Sequence, residues 1–151
     1  MIHKYNCLAD AYTSDIKGVT CVSVDGTAYI ETDDRPIDEI RTEKKDQVEA
    51  LRDSLYEQGV KVGDYWFQTS LWSKTSFLGI AAMGKDYPGW KTMSGEGVII
   101  TAALAGQIMA AIGSQTAMIH ANCEAHKAAI EKATDLYEYD INTGWPEVFS
   151  S

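Results

Sequence analysis

Residues 60–134, VKVGDYWFQTSLWSKTSFLGIAAMGKDYPGWKTMSGEGVIITAALAGQIMAAIGSQTAMIHANCEAHKAAIEKAT, decide the fold of this chain. Val60 and Val62 open an extended pair that turns at Gly63-Asp64 and returns through Tyr65, Trp66 and Phe67. Thr69 or Ser70 then offers a side-chain oxygen to cap a helix that runs to Met83, with Gly84 as its stop. Tyr87-Pro88-Gly89 reads as a turn. Residues 90–93 and 98–100 flank Ser94-Gly95-Glu96-Gly97 as a second hairpin with a four-residue loop. Thr101 caps one long alanine-rich helix that lasts to about Thr134.

Upstream, Ile37, Ile40, Val48, Leu51 and Leu55 recur at steps of three and four, which places them on one face of a helix over about 36–58. Glu39, Arg41, Glu43, Lys45 and Asp46 cover its other faces. Asp33 and Asp34 offer caps, Pro36 is tolerated in the first turn, and Gly59 stands where a left-handed cap is expected. Further upstream, Val22 and Val24 alternate with polar residues, Asp25-Gly26 supplies a type I′ turn, and Ala28 and Ile30 resume the alternation. That pattern is a β-hairpin, with Tyr5, Cys7 and Leu8 as candidates for one more strand. Downstream, Gly144-Trp145-Pro146 prevents a helix in the tail and leaves open whether it packs back or reaches a neighbour. The expected fold class is α+β: a short N-terminal β-hairpin segment, then a helical domain of three helices, one long, with two small strand pairs. The chain divides into a β-rich lead at 1–35, a domain at 36–134 and an irregular tail at 135–151.

A chain of 151 residues holds one domain and buries about 70% of its unfolded surface, so it needs no disulfide staple. Its 22 acidic residues against 13 basic ones leave a net charge of −9. That excess disfavours binding to nucleic-acid phosphates or to anionic lipid. Cys7, Cys21 and Cys123 are odd in number and contain no C-x-x-C pair, which fits synthesis in a reducing cytoplasm. The N-terminus lacks the apolar run of a signal peptide, and the apolar stretch over 98–112 is too short to span a bilayer. A soluble protein without membrane insertion is expected.

Three residues have the spacing of ligands: His120, Cys123 and His126, each three apart on the long helix. A zinc ion wants a fourth ligand, and H-x2-C-x2-H is not a spacing of known structural zinc sites. The plain alternative is a polar strip satisfied by neighbours, so neither a metal nor a cofactor is expected. Cys123 and His126 share a helix turn without an orienting third group. The chain contains no nucleophile elbow, P-loop or dinucleotide fingerprint, and the Ser94–Gly97 loop precedes a strand rather than a helix. No enzymatic activity is expected.

The remaining candidates are contact surfaces. Tyr65, Trp66 and Phe67 are consecutive, so on a strand at least one points away from the local core. The aromatics Tyr65, Trp66, Phe67, Trp72, Phe77, Tyr87 and Trp90 read first as core packed under the helices. The alternative makes Trp66 and Trp90, and Trp145 in the tail, interface candidates, either for a partner protein or for a sugar ring. On the long helix Ala105, Ile108, Ile112, Gln115, Ile119, Asn122, His126, Ala129 and Ala133 follow a seam of alternating three- and four-residue steps. Its partner is either the first helix of the same chain or another copy of itself, in which case Gln115, Asn122 and His126 would set the register of a homo-oligomer.

These residues also carry a resemblance. Ala50-Leu51-Arg52-Asp53, then Gly59-Val60-Lys61-Val62-Gly63-Asp64-Tyr65-Trp66-Phe67, Thr75-Ser76-Phe77-Leu78-Gly79-Ile80-Ala81 and Trp90-Lys91-Thr92-Met93-Ser94-Gly95 come in a fixed order before a helix with Ala102, Ala105, Gln107 and Ala125-His126. Over residues 38–134 this order resembles a domain of unknown function found in bacteriophage tail-fibre and tail-associated proteins and in prophages. The resemblance implies a non-enzymatic virion structural protein of the tail fibre, tail tip or baseplate, made in the cytoplasm of a host bacterium. Its partners would be other tail proteins, with the β lead docking by strand addition to a neighbouring sheet. Two alternatives stay open: a tail-fibre assembly chaperone, and a receptor- or carbohydrate-binding tail module facing the host surface.

Overall fold

The computed structural model describes the backbone of residues 2–4, 19–24, 27–32 and 35–150, and side chains over 35–150. Three antiparallel strands, β1 (Ile2–Lys4), β2 (Val19–Val24) and β3 (Thr27–Thr32), form one sheet in the order β1-β3-β2. The Asp25-Gly26 turn, the Asp33-Asp34 cap and the strand candidate at Tyr5, Cys7 and Leu8 lie outside the described residues.

The rest is an α+β body of three helices and two small antiparallel strand pairs, in the order α1 (Ile37–Leu55), β4 (Val60–Val62), β5 (Tyr65–Phe67), α2 (Leu71–Met83), β6 (Tyr87–Lys91), β7 (Gly97–Ile100) and α3 (Ala102–Lys132). Pro36 itself occupies the N-cap of α1 and makes no side-chain cap bond. The helix stops at Leu55, short of the expected residue 58, because the next amides fall into three-residue bonds from Glu57 to Ser54 and from Gln58 to Leu55. Ser70 caps α2 by accepting from the Ser73 amide, and Gly84 closes it with φ 65°. Thr101 caps α3 by accepting from the Leu104 amide at 3.1 Å.

The Tyr87-Pro88-Gly89 turn is corrected: these residues lie within β6. Pro88 has no amide for a ladder bond and Gly89 sits at φ 75°, so the register slips between Tyr87 and Trp90. The loop that follows spans 92–96 and is closed by the Thr92 amide on the Glu96 carbonyl at 2.9 Å.

Two apolar clusters share α3. Its N-terminal half packs Ala105, Ile108 and Ile112 on Phe77 and Ile80 of α2 and on Val60, Phe67, Trp90 and Ile100 of the hairpins. Its C-terminal half packs Cys123 and Ile130 on Ile40 and Val48 of α1 and on Leu136 of the tail. Helix α1 runs antiparallel along this second half, as Lys127–Glu49 (2.7 Å) and Lys45–Glu131 show. The buried stripe steps from Ile119 to Cys123, His126 and Ile130, whereas Ala129 is exposed. A straight helix of 3.6 residues per turn drifts off a strict heptad, which moves the seam by one position there. By length and composition alone α3 could cross a bilayer, since an 18-residue window has mean hydropathy 1.3, of which 22% is buried. The apolar run therefore continues well past residue 112.

Candidate functional site

Two places gather the predicted residues: a polar seam on α3 and an aromatic cleft at the other end of the body. On the seam each polar side chain serves a backbone group of its own chain. Gln115 Nε2 donates to the Gly59 carbonyl at 2.9 Å, where α1 has ended and β4 begins. Asn122 Nδ2 donates to the Thr143 carbonyl at 3.0 Å. His126, 6% exposed, donates from Nε2 to the same carbonyl at 2.9 Å, since a carbonyl only accepts, and its Nδ1 faces the Tyr139 hydroxyl at 2.8 Å.

The tail is thereby placed: it packs back on its own chain. Trp145 stacks on His126 at 5.5 Å and 20°, with its indole N–H donating to the Ile141 carbonyl at 2.8 Å. Gly144 has φ 78°, and a Cβ there would meet Asn122 Oδ1 at 2.6 Å, so glycine is required twice over. Phe149 then reaches Gln58 through its amide at 3.0 Å and lies edge-on to Trp66 at 6.1 Å.

The ligand-spaced trio does not converge. His120 is exposed, both ring nitrogens of His126 are engaged within the chain, and Cys123 is fully buried against α1. Burial pushes the Cys123 thiol above its ordinary value of 9.0, which keeps it protonated and a poor ligand. Among the described residues, no three His, Cys, Asp or Glu come together to hold a metal.

The aromatic cleft, about 390 Å³, opens between the start of α2 and β6 and is lined by Gln68, Trp72, Ser73, Tyr87, Gly89, Trp90 and Lys91. Trp90 is its base. It is 5% exposed, packs on Phe77 at 4.5 Å, and donates from its indole N–H to Gln68 Oε1 at 2.9 Å. Gln68 in turn donates to the Lys91 carbonyl at 2.8 Å. Trp72 stacks on Trp90 at 5.6 Å and 19° yet is 69% exposed, and Tyr87 meets Trp90 edge-on at 5.7 Å. Among the tryptophans the surface residue is thus Trp72, while Trp66 is half-buried under Phe149 and Trp90 is core. Sequence alone could not tell them apart, because α2 has apolar residues on both faces. Leu71, Leu78 and Met83 are exposed on it as well as Trp72.

At the hairpin loop beside the cleft, the Thr92 hydroxyl donates to Glu96 at 2.6 Å and lowers its carboxyl below the usual 4.5. Comparison with curated proteins and with solved structures returns no match. A family model does match over residues 39–143, a span that takes in α1 from its third residue, α2, α3, both strand pairs and the His126–Tyr139–Thr143 contacts. The chain therefore belongs to the family defined by DUF4376, a domain of unknown function.

Proposed function

We propose that this chain is a non-enzymatic structural protein of a bacteriophage tail, in the fibre, tail tip or baseplate, working through protein contacts as a homo-oligomer. One observation carries the contact reading: the glycines on the outer face of α3. Gly106 and Gly113 stand one heptad apart, opposite the buried stripe and beside exposed Ala103, Ala110 and Ala117. A Cβ at either glycine would meet nothing within 4 Å, and neither has positive φ. The chain's own packing and backbone do not call for them, although each destabilises a helix interior by about 0.5–1 kcal/mol relative to alanine. A bare apolar stripe of heptad period admits a second helix at close range, and a second α3 has the matching period. The setting in the virion tail, with other tail proteins as partners, rests on the sequence resemblance over residues 38–134.

Size-exclusion with light scattering should find an oligomer, and Ala110→Glu should dissociate it at unchanged helix content. A wild-type monomer at every concentration would remove the oligomer. Mass spectrometry of purified particles should find the chain. Its absence there would remove the virion placement and favour an assembly chaperone.

A further inference from the structure

The cleft at Trp72 is built as a stacking platform. The inner face of the indole lies on Trp90, and Trp90 is fixed from behind by Phe77 and at its N–H by Gln68. The outer face of Trp72 is left to solvent, and ring stacking with Trp90 holds it in place without a ligand. Beside it, Gly89 holds φ 75° and has nothing within 4 Å of a would-be Cβ, so that wall stays open. Tyr87 and Lys91 line the same space, and their polar ends are uncommitted. The Tyr87 hydroxyl and the Lys91 ammonium have no hydrogen-bond or ion-pair partner among the described residues.

We propose that this cleft binds a pyranose ring of a neutral oligosaccharide, with the ring's C–H face on Trp72 and its hydroxyls on Tyr87 and Lys91. A flat apolar face edged by groups that accept and donate matches a saturated ring edged by hydroxyls, which do the same. The volume is within the range of small-ligand sites. A cationic ligand in an aromatic cage would meet the Lys91 charge. A polyanionic glycan would approach against the net charge of −9. A proline-rich peptide needs a row of aromatic ridges along a groove, whereas here the aromatics form one stack closed on its inner side. This inference is independent of the tail placement and of the α3 oligomer.

The full chain should be titrated calorimetrically, and by tryptophan emission, with linear oligomers of glucose, of galactose and of N-acetylglucosamine. Oligogalacturonate and decaproline serve as the acidic and peptide probes. A neutral oligomer should bind and shift the emission to the blue. Trp72→Ala should weaken that binding by at least about tenfold, the loss of one buried aromatic face. Lys91→Met should weaken it by roughly threefold, one hydrogen bond's worth. Leu71→Ala, 79% exposed and outside the lining, should leave it unchanged. Should Trp72→Ala lose its fold by circular dichroism, Lys91→Met with the Leu71 control decides. No binding by any neutral oligomer, equal affinity in the Trp72 and Lys91 variants, or binding confined to oligogalacturonate or decaproline would overturn the proposal.

Discussion

Gly59 shows what a single residue does beyond its local signal. As sequence it reads as the stop of the first helix. In the structure that helix has already ended at Leu55, and Gly59, at φ 87°, turns the chain into β4. Its amide donates to Thr69 Oγ1 at 3.1 Å and its carbonyl accepts from Gln115, so three elements meet on one backbone unit. A Cβ there would meet Met93 Sδ at 2.2 Å and the Phe67 carbonyl at 3.2 Å. Gly59→Ala should therefore cost about 1–3 kcal/mol, from the left-handed backbone and the clash together, read as a lower urea midpoint at unchanged slope. An unmoved midpoint would mean that Met93 swings clear and the backbone relaxes. Gln115 and Asn122 likewise join distant segments through backbone carbonyls. Their polarity on an apolar seam is legible in the sequence, but which carbonyl each serves is fixed by where the tail and the α1–β4 turn arrive.

At the scale of elements, the kind and order of helices and hairpins over residues 37–132 follow from periodicity and from capping residues such as Ser70, Gly84 and Thr101. What does not follow is the interior of β6, where Pro88 and Gly89 look like a turn and behave as a bulge. The placement of the tail does not follow either, because residues 133–150 have no repeating pattern and are held by particular bonds. His126 is the main one. His126→Ala should remove two hydrogen bonds and the Trp145 stack and leave the half-buried Tyr139 hydroxyl without its partner. The expected cost is about 2–4 kcal/mol in denaturant unfolding. Amide signals of residues 139–145 should collapse toward random-coil positions while those of α2 stay put. If both regions respond alike, the tail is not a separately held element.

For the whole molecule, charge sets the pH window of stability. Lys127 holds the Glu49 carboxyl below its ordinary 4.5, Lys45 does the same for Glu131, and the Asn142 backbone and side-chain N–H groups hold Asp140 below its ordinary 3.8. Lowered carboxyls stabilise the fold above their unfolded values and lose that contribution as pH falls through the folded ones. At the other end, burial raises Cys123 above 9.0, and burial with the Asp140 charge raises Tyr139 above 10.0. Their contribution is present below those values and is lost as pH rises beyond them. Thermal unfolding across pH should give a plateau between about 5 and 9 that falls on both sides. Glu49→Gln should soften the acid limb, modestly because the pair is exposed, and Cys123→Ala should delay the alkaline one. A curve that both variants leave unchanged would assign the limbs to other groups.

The sharing of α3 by two clusters has a consequence for how such a chain can diversify. Ile112 and Cys123, the nearest members of the two clusters on the helix, are 11 residues and so about 16 Å apart along its axis. Substitutions separated by that much, with no partner in common, usually act independently. The end that carries Trp72 and Tyr87 can therefore accept new side chains without taxing the end where the tail is clamped. Exposed positions around Trp72 and Tyr87 are free to change what they touch, while the buried residues of both clusters keep the polypeptide folded.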